Sequence, residues 1–431
     1  MARHVIMGKG PVGSATAQLL AEQGHQVAVL SRSGGTSTGT IEHRAVDASD
    51  AEALTAAVGA AEVLYNAINP PAYDRWTQDW PPIAAAVLHA AERSQALLVV
   101  MGSLYGYGRP SGPITAGSPL AATDVKGRLK ARLWADALAA RAAGRIRVTE
   151  ARASDFVGPT VPAPQSHLMR QLATLRRGRR AWVIGDPDAA HSWSYLPDVA
   201  ATLVRLGADP RAEGRAWLVP TGPPRSQRQA LTDLARAMGA PPARVSGIPW
   251  PVLRAIGAVQ PQMREIVAIR HQWDQPFVMD SAETTDVLGL QPTPWDEVVR
   301  ATAAPAGQTP TTPPGKGTLG MGAAPATPPA GTGSRRLRAR VRHRAPRRRM
   351  SPRPVRAQVT PAYTATRSSP CWPSRPSRRW PWSSTRTSAS CRSPRPSSWR
   401  CSPQRSTRTR SSRSPGRPSC SSPASARTPP S

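Results

Sequence analysis

Residues 3–13 read RHVIMGKGPVG, and this stretch decides the fold. A short apolar run of strand length, His4 to Met7, leads straight into Gly8-Lys9-Gly10-Pro11-Val12-Gly13, a GxGxxG spacing. In a strand–turn–helix unit the three glycines have separate duties. Gly8 permits the tight turn, Gly10 lets the backbone approach a pyrophosphate, and Gly13 allows the helix to pack closely on the strand. The N-terminus of the helix that follows then faces the phosphate charge. The alternative is a glycine turn with a purely structural duty. Because the motif sits between a strand pattern and a helix pattern, Gly8, Lys9, Gly10, Pro11, Val12 and Gly13 are read as cofactor-binding residues.

Working outward, short apolar runs alternate with stretches of helical period. Strands are expected near 3–8, 26–31, 62–66, 97–102 and 146–151, with helices near 11–24, 50–59, 79–94 and 127–143. This alternation predicts an α/β doubly wound parallel sheet, a Rossmann fold, over residues 1–157. After Gly158 the pattern loosens, with helices expected near 165–177, 197–207, 226–238 and 262–272. A smaller, interleaved substrate-binding layer is expected over 158–304.

The chain of 431 residues is long enough for two or three domains. Its charge is divided unequally. Of 57 Lys and Arg, 26 lie at or beyond Ala301, where there is no Asp or Glu; the first 300 residues set 31 basic side chains against all 26 acidic ones. The net charge of +31 therefore belongs mostly to the tail and does not make the front a nucleic-acid binder. Residues 305–431 are rich in Pro, Ser and Arg, too poor in apolar side chains to offset chain entropy, so a disordered basic tail is expected. A shifted reading frame is a second explanation, since a GC-rich gene read out of frame yields Arg, Pro, Ser and Ala without acids. The four cysteines, Cys371, Cys391, Cys401 and Cys420, all fall in the tail, without metal-ligand spacing. No metal site is expected, nor a thiol nucleophile in the front. The first residues lack the pattern of a signal peptide and no apolar run reaches membrane-spanning length, so a cytoplasmic location is expected.

The second strand ends at Ser31-Arg32-Ser33, where an NAD-selective site usually carries an acidic residue for the ribose hydroxyls. Arginine suits a 2′-phosphate instead, and Lys9 adds positive charge on the same side. NADP is expected, with NAD as the alternative if Arg32 is an ordinary surface residue.

Further motifs follow in order: Asp47 in RAVDASD, Asn66-Ala67, Ser103 and Tyr107-Gly108 in MGSLYGYG, ARASDFVGP at 151–159, and HSWSYLPDVA at 191–200. Over residues 3–303 this series resembles the NAD-dependent epimerase/dehydratase family of extended and atypical short-chain dehydrogenases. The resemblance implies that Asp47 holds the adenine, that Asn66 and Ala67 lie along the cofactor, and that the loop from Phe156 to Pro159 approaches the nicotinamide. It also makes Ser103 the match of the family's catalytic serine. The extended members space their glycines GxxGxxG; here Met7 takes the first of those positions, which points to the atypical branch. The family's catalytic pair is YxxxK, in which the lysine lowers the tyrosine's pKa. The candidate lysine is Lys126, and four residues before it stands Ala122. The tyrosine is missing.

Tyr105 and Tyr107 stand at the mouth expected for the site and are candidate replacements, against the plainer reading of aromatic packing. Asn69 and His191 are candidate substrate-lining residues. Asp198 reads most simply as a helix-starting residue, and Trp76, Trp80, Trp193, Trp250 and Trp273 as core or pocket wall.

The resulting expectation is an NAD(P)-dependent oxidoreductase or epimerase/dehydratase acting on a small hydroxyl- or carbonyl-bearing substrate. Two alternatives stand beside it: a non-catalytic NADP-binding sensor, for which the absent tyrosine argues, and a protein recruited to nucleic acid non-specifically through the tail. Neither the oligomeric state nor the substrate has a readable signal.

Overall fold

The computed structural model describes residues 2–304. Expectations for the tail, including disorder and nucleic-acid contact, lie outside them. Six parallel strands come first: β1 (Arg3–Met7), β2 (Gln26–Ser31), β3 (Ile41–Ala45), β4 (Val63–Asn66), β5 (Leu97–Ser103) and β6 (Arg147–Ala153). They alternate with α1 (Pro11–Glu22), α2 (Ala51–Val58), α3 (Trp76–Ser94) and α4 (Val125–Ala142).

Alternate residues of each strand enter opposite cores, as the two-residue period of a strand requires. Ile6, Val27, Val29, Val63, Tyr65, Leu97 and Val99 pack on one face with α1, while Val5, Met7, Ala28, Leu30, Leu64 and Leu98 pack on the other with α2, α3 and α4. Both faces are covered, which is why these strands read as continuous apolar runs.

The remaining elements are β7 (Asp155–Val157), α5 (Leu172–Arg176), β8 (Ala181–Ile184), β9 (Ala190–His191), β10 (Trp193–Tyr195), α6 (Leu196–Ala208), β11 (Ala216–Leu218), β12 (Arg225–Ser226), α7 (Gln227–Ala237), β13 (Val245–Ile248), α8 (Trp250–Val259), α9 (Pro261–Ala268), α10 (His271–Asp274), α11 (Ala282–Leu288) and α12 (Trp295–Ala303). The main sheet has seven strands in the order β11-β6-β5-β4-β1-β2-β3, all parallel. After β3 the chain returns past β1 to lay down β4. The order therefore reverses between β1 and β4, and a crevice opens there at the carboxyl ends of the strands.

The later segment is interleaved with the sheet. β11 extends its edge and α6 packs against α1, while three two-stranded pairs, β7 with β10, β8 with β13 and β9 with β12, build a layer above the strand ends. Backbone bridges Ile114–Met279 and His191–Phe277 tie that layer together.

Several elements depart from the expected boundaries. The helix expected over 165–177 is two short turns, Ala163–Gln165 and Met169–Gln171, followed by the five-residue α5. The helix expected over 262–272 breaks near Ile269 into α9 and α10. α3 starts at Trp76 and carries Pro81 and Pro82 inside it. Among the described residues no helix is long and apolar enough to cross a membrane.

Candidate active site

The glycine loop lies at the crevice. Gly8 has φ +103°, and a Cβ there would stand 2.8 Å from the Ala67 carbonyl oxygen. A Cβ on Gly13 would stand 1.9 Å from the Gly8 carbonyl oxygen, so helix and turn meet only because both positions lack a side chain. Gly10 is different: a Cβ there would meet nothing within 4 Å. Gly10 is also the N-cap of α1, with Pro11 in the first turn and no capping side chain. The first-turn amides have no intrahelical partner, so the loop presents an open, positively polarised surface that fits a phosphate group.

On the rim, Lys9 Nζ donates to the Gly34 carbonyl at 2.8 Å, and Ser31 Oγ donates to the same oxygen at 3.2 Å. Lys9 thereby closes the turn that carries Arg32, whose side chain is exposed. Asp47 accepts from Ser49 N at 2.9 Å and Ser49 Oγ at 2.8 Å. These bonds, chiefly the backbone one, together with the nearby Arg32 charge, hold its carboxyl below the usual range. Asn66 ends β4 buried, its Oδ1 accepting from Ile68 N at 3.2 Å, and Ala67 N donates to the Met7 carbonyl at 2.9 Å. Asn69 is exposed just beyond.

At the ends of β5 and β6 the polar groups gather. Ser103 closes β5 opposite Ala153, and its Oγ is buried with no hydrogen-bond partner among the described residues. A buried hydroxyl left unpaired is costly, and a substrate oxygen would satisfy it. The two tyrosines that follow have different surroundings. Tyr105 OH lies 3.2 Å from Tyr73 OH. Tyr107 is 3% exposed; its hydroxyl accepts from Arg152 at 2.7 Å and donates to the Ala116 carbonyl at 3.4 Å. Arg152 is in turn paired with Glu150 at 2.6 Å, inside the sheet edge.

Lys126 is the second residue of α4, whose N-cap Asp124 accepts from Gly127 N at 2.8 Å. It is buried, paired with Glu265 of α9, and its Nζ lies 5.2 Å from the centre of the Tyr73 ring. Ala122 lies before the helix and packs on Gly108, so a spacing of four from Lys126 does not place it one helical turn away. One turn further along α4, Lys130 holds its Nζ 3.7 Å above the Trp80 ring, and burial lowers its pKa to about 8.

Phe156, on β7, is half-buried, and its carbonyl accepts from Ser166 Oγ at 2.7 Å. Beside it, Asp155 receives His191 Nε2 at 2.9 Å and lies 3.8 Å from His167 Nε2. Burial pushes the Asp155 carboxyl up, but the His191 hydrogen bond and the His167 and Arg170 charges outweigh it and hold it below the usual range. Burial drives His167 down to about 4. His191 is 2% exposed and walled by Trp193, Trp273 and Phe277, so it reaches the crevice through Asp155.

Asp198 stands apart from this group. It accepts from Thr293 N at 2.9 Å and Thr293 Oγ1 at 2.6 Å, clamping the segment before α12, and burial raises its carboxyl to about 6. Trp76, Trp80, Trp193 and Trp273 are all buried, and the Trp250 indole donates to Asp274. Among the described residues no cluster of His, Cys, Asp or Glu is arranged to hold a metal ion.

The structure thus brings Ser103, Tyr105 and Lys126 to one end of the sheet, adds Tyr73, Asp155, His167 and Glu265, and ties Tyr107 into the Arg152 network. Asp155 lay within the quoted ARASDFVGP. The other three had no local signal, because their meeting depends on separate loops.

A family model described as "NAD dependent epimerase/dehydratase family" matches residues 5–219. The chain belongs to the NAD-dependent epimerase/dehydratase family. Solved structures share its fold. WbmH of Bordetella bronchiseptica, in complex with NAD+, is 18% identical with a TM-score of 0.55, covering 70% of this chain and 97% of its own. UDP-glucose 4-epimerase of Brucella ovis, in complex with NAD, is 20% identical with a TM-score of 0.56, covering 70% and 98%. The UDP-glucose 4-epimerase of Thermotoga maritima, with UDP-glucose, is 15% identical with a TM-score of 0.58, covering 70% and 97%. No curated protein matches the sequence.

Proposed function

We propose that this member of the family is an NADP-dependent oxidoreductase or epimerase/dehydratase acting on a small hydroxyl- or carbonyl-bearing molecule. The observation that carries the reading is the uncapped glycine loop, open over Gly10 and closed under Gly8 and Gly13, at the point where the strand order reverses. The similar folds solved with NAD or NAD+ support a nicotinamide dinucleotide as its occupant. When bound, the nicotinamide supplies or accepts a hydride.

The chain's own residues have these duties. The α1 amides and Gly10 would hold the pyrophosphate, with Asn66 and Ala67 beneath the cofactor's path. Arg32 would hold the 2′-phosphate, on a turn braced by Lys9, and Asp47 the adenine. Ser103 would donate its unpaired hydroxyl to the substrate oxygen, and Lys126, paired with Glu265, would support the nicotinamide ribose. Phe156 and Asn69 would border the nicotinamide and the substrate. His191 would act through Asp155.

Titration calorimetry of the full chain tests the reading. NADPH is expected to bind more tightly than NADH by about 1.5–3 kcal/mol, the range for hydrogen bonds to charged groups. Arg32→Asp is expected to erase or invert that preference. Equal affinities in the unmodified protein remove NADP selectivity, and binding of neither removes the whole reading. A protein that binds NADPH yet turns over no carbonyl or sugar-nucleotide probe is the sensor.

A further inference from the structure

We propose that Tyr73, from the turn between β4 and α3, is the residue that hands the proton to the substrate oxygen, with Tyr105 and Lys126 supporting it. The inference rests on the reading of the crevice as a nicotinamide site. It replaces a tyrosine–lysine pair on one helix by three residues on three elements.

Hydride chemistry at a carbonyl needs a proton donor, and α4 carries no tyrosine anywhere from Val125 to Ala142. The other candidate donors are committed. Tyr107 is bonded to Arg152 and to the Ala116 carbonyl. Lys126 is paired with Glu265, and Lys130 is set between the Trp80 and Trp76 rings.

Tyr73 is differently placed. Its turn, Tyr73–Arg75, follows the carboxyl end of β4, at the crevice, and its side chain is half-buried. The Tyr105 hydroxyl lies 3.2 Å from its own, within hydrogen-bond reach, and Lys126 Nζ lies 5.2 Å from its ring centre. The Trp76 ring centre lies 4.8 Å from that of Tyr73. Ser103, two residues before Tyr105, has a buried hydroxyl without a hydrogen-bond partner among the described residues.

The charges facing Tyr73 are Lys126 from α4, Glu265 from α9, Asp155 from β7 and Arg170 from the turn before α5. Burial raises the Tyr73 hydroxyl above the usual phenol range, and the Tyr105 hydrogen bond offsets only part of that rise. Tyr105 is driven higher, by burial first and then by Tyr73. Lys126 faces the Tyr73 ring, so the phenolate is assigned to Tyr73, with the Tyr105 hydroxyl 3.2 Å away donating to it.

In the reducing direction the carbonyl carbon would receive the hydride that a bound reduced nicotinamide would supply, the nicotinamide being oxidised in exchange. The carbon–oxygen π pair takes the Tyr73 proton, the O–H bond of Tyr73 breaks, and the product leaves as an alcohol. The phenolate is held by the Tyr105 hydrogen bond and the Lys126 charge until solvent returns a proton.

Two measurements on the full chain test this. Alkaline titration followed by phenolate absorbance needs no substrate. Tyr105→Phe is expected to raise the ionisation midpoint of Tyr73, whereas Tyr73→Phe is expected to lower that of Tyr105; shifts in the same direction, or none, overturn the assignment. The second measurement is oxidation of NADPH with 4-nitrobenzaldehyde as the carbonyl probe. Tyr73→Phe is expected to cut kcat by about 10²–10⁴, with NADPH affinity by calorimetry unchanged. Undiminished turnover in Tyr73→Phe, or a native chain that binds NADPH and leaves the probe untouched, overturns the inference. Failure of the native chain to bind NADPH sinks the parent reading instead.

Discussion

Replacing Arg152 with Met removes the cation from the most deeply buried ion pair of the site's frame. Arg152 is 4% exposed and Glu150 7%, and they meet at 2.6 Å with a further bond from Arg152 to Tyr107 at 2.7 Å. Glu150 packs against Gly102, where a Cβ would lie 2.3 Å from its Oε1, so the carboxylate has no room to turn toward water. Leaving one partner of such a pair unpaired costs about 3–5 kcal/mol. The Lys130 charge still acts on Glu150, which favours the lower end. For a body of this size the loss corresponds to a fall in Tm of roughly 5–8 °C. Already raised by burial, the Glu150 carboxyl rises further without Arg152, so in the variant the lost stability returns as pH falls toward 4.5. Denaturant titration at pH 7 and pH 5 measures both effects. Changing both residues, Glu150→Met with Arg152→Met, is expected to recover most of the loss, because no charge is then stranded. A single variant within about 1 kcal/mol of the native protein, or a double variant no better than the single, refutes the reasoning.

Other expectations follow from the same structure. His4, buried beside His25 and Tyr65, has its pKa lowered to about 4, first by burial and then by the His25 charge. Its contribution is complete above pH 6.5 and is lost as pH falls toward 4, on the order of 3 kcal/mol; His4→Phe should flatten the stability profile across that window, and an unchanged slope counts against it. Gly13→Ala forces the Gly8 carbonyl to move by roughly 1.5 Å to restore van der Waals contact, so NADPH affinity should fall at least tenfold by calorimetry, and an intact affinity would mean that the cofactor lies elsewhere. Asp198→Ala releases Thr293 and should lower stability by about 1–3 kcal/mol while leaving NADPH affinity unchanged.

The core of this fold was legible because its signals are local. β1, β2, β4 and β5 are buried on both faces and read as short apolar runs, and the glycine loop is written in consecutive residues. β3, the sequence IEHRA at the sheet edge, escaped because one side of an edge strand faces solvent and its apolar run disappears. β11, only three residues long at the other edge, left no pattern. The candidate site was legible on the side supplied by strand ends, Ser103 and Asn66. Tyr73 and Glu265 could not be found that way, since they lie 53 and 139 positions from Lys126 and meet it only through packing. Tyr105 and Tyr107 look equivalent in LYGY, yet one faces Tyr73 and the other Arg152, because the short helical turn at Leu104–Tyr107 sends side chains two apart in different directions.

A crystal structure of the full chain grown with NADPH tests the central claim most directly. The account predicts the pyrophosphate within about 3 Å of the Val12 and Gly13 amides, the 2′-phosphate against Arg32, and the nicotinamide beside Ser103 and Tyr73. Dinucleotide bound away from the glycine loop, or no dinucleotide at saturating concentration, would contradict it.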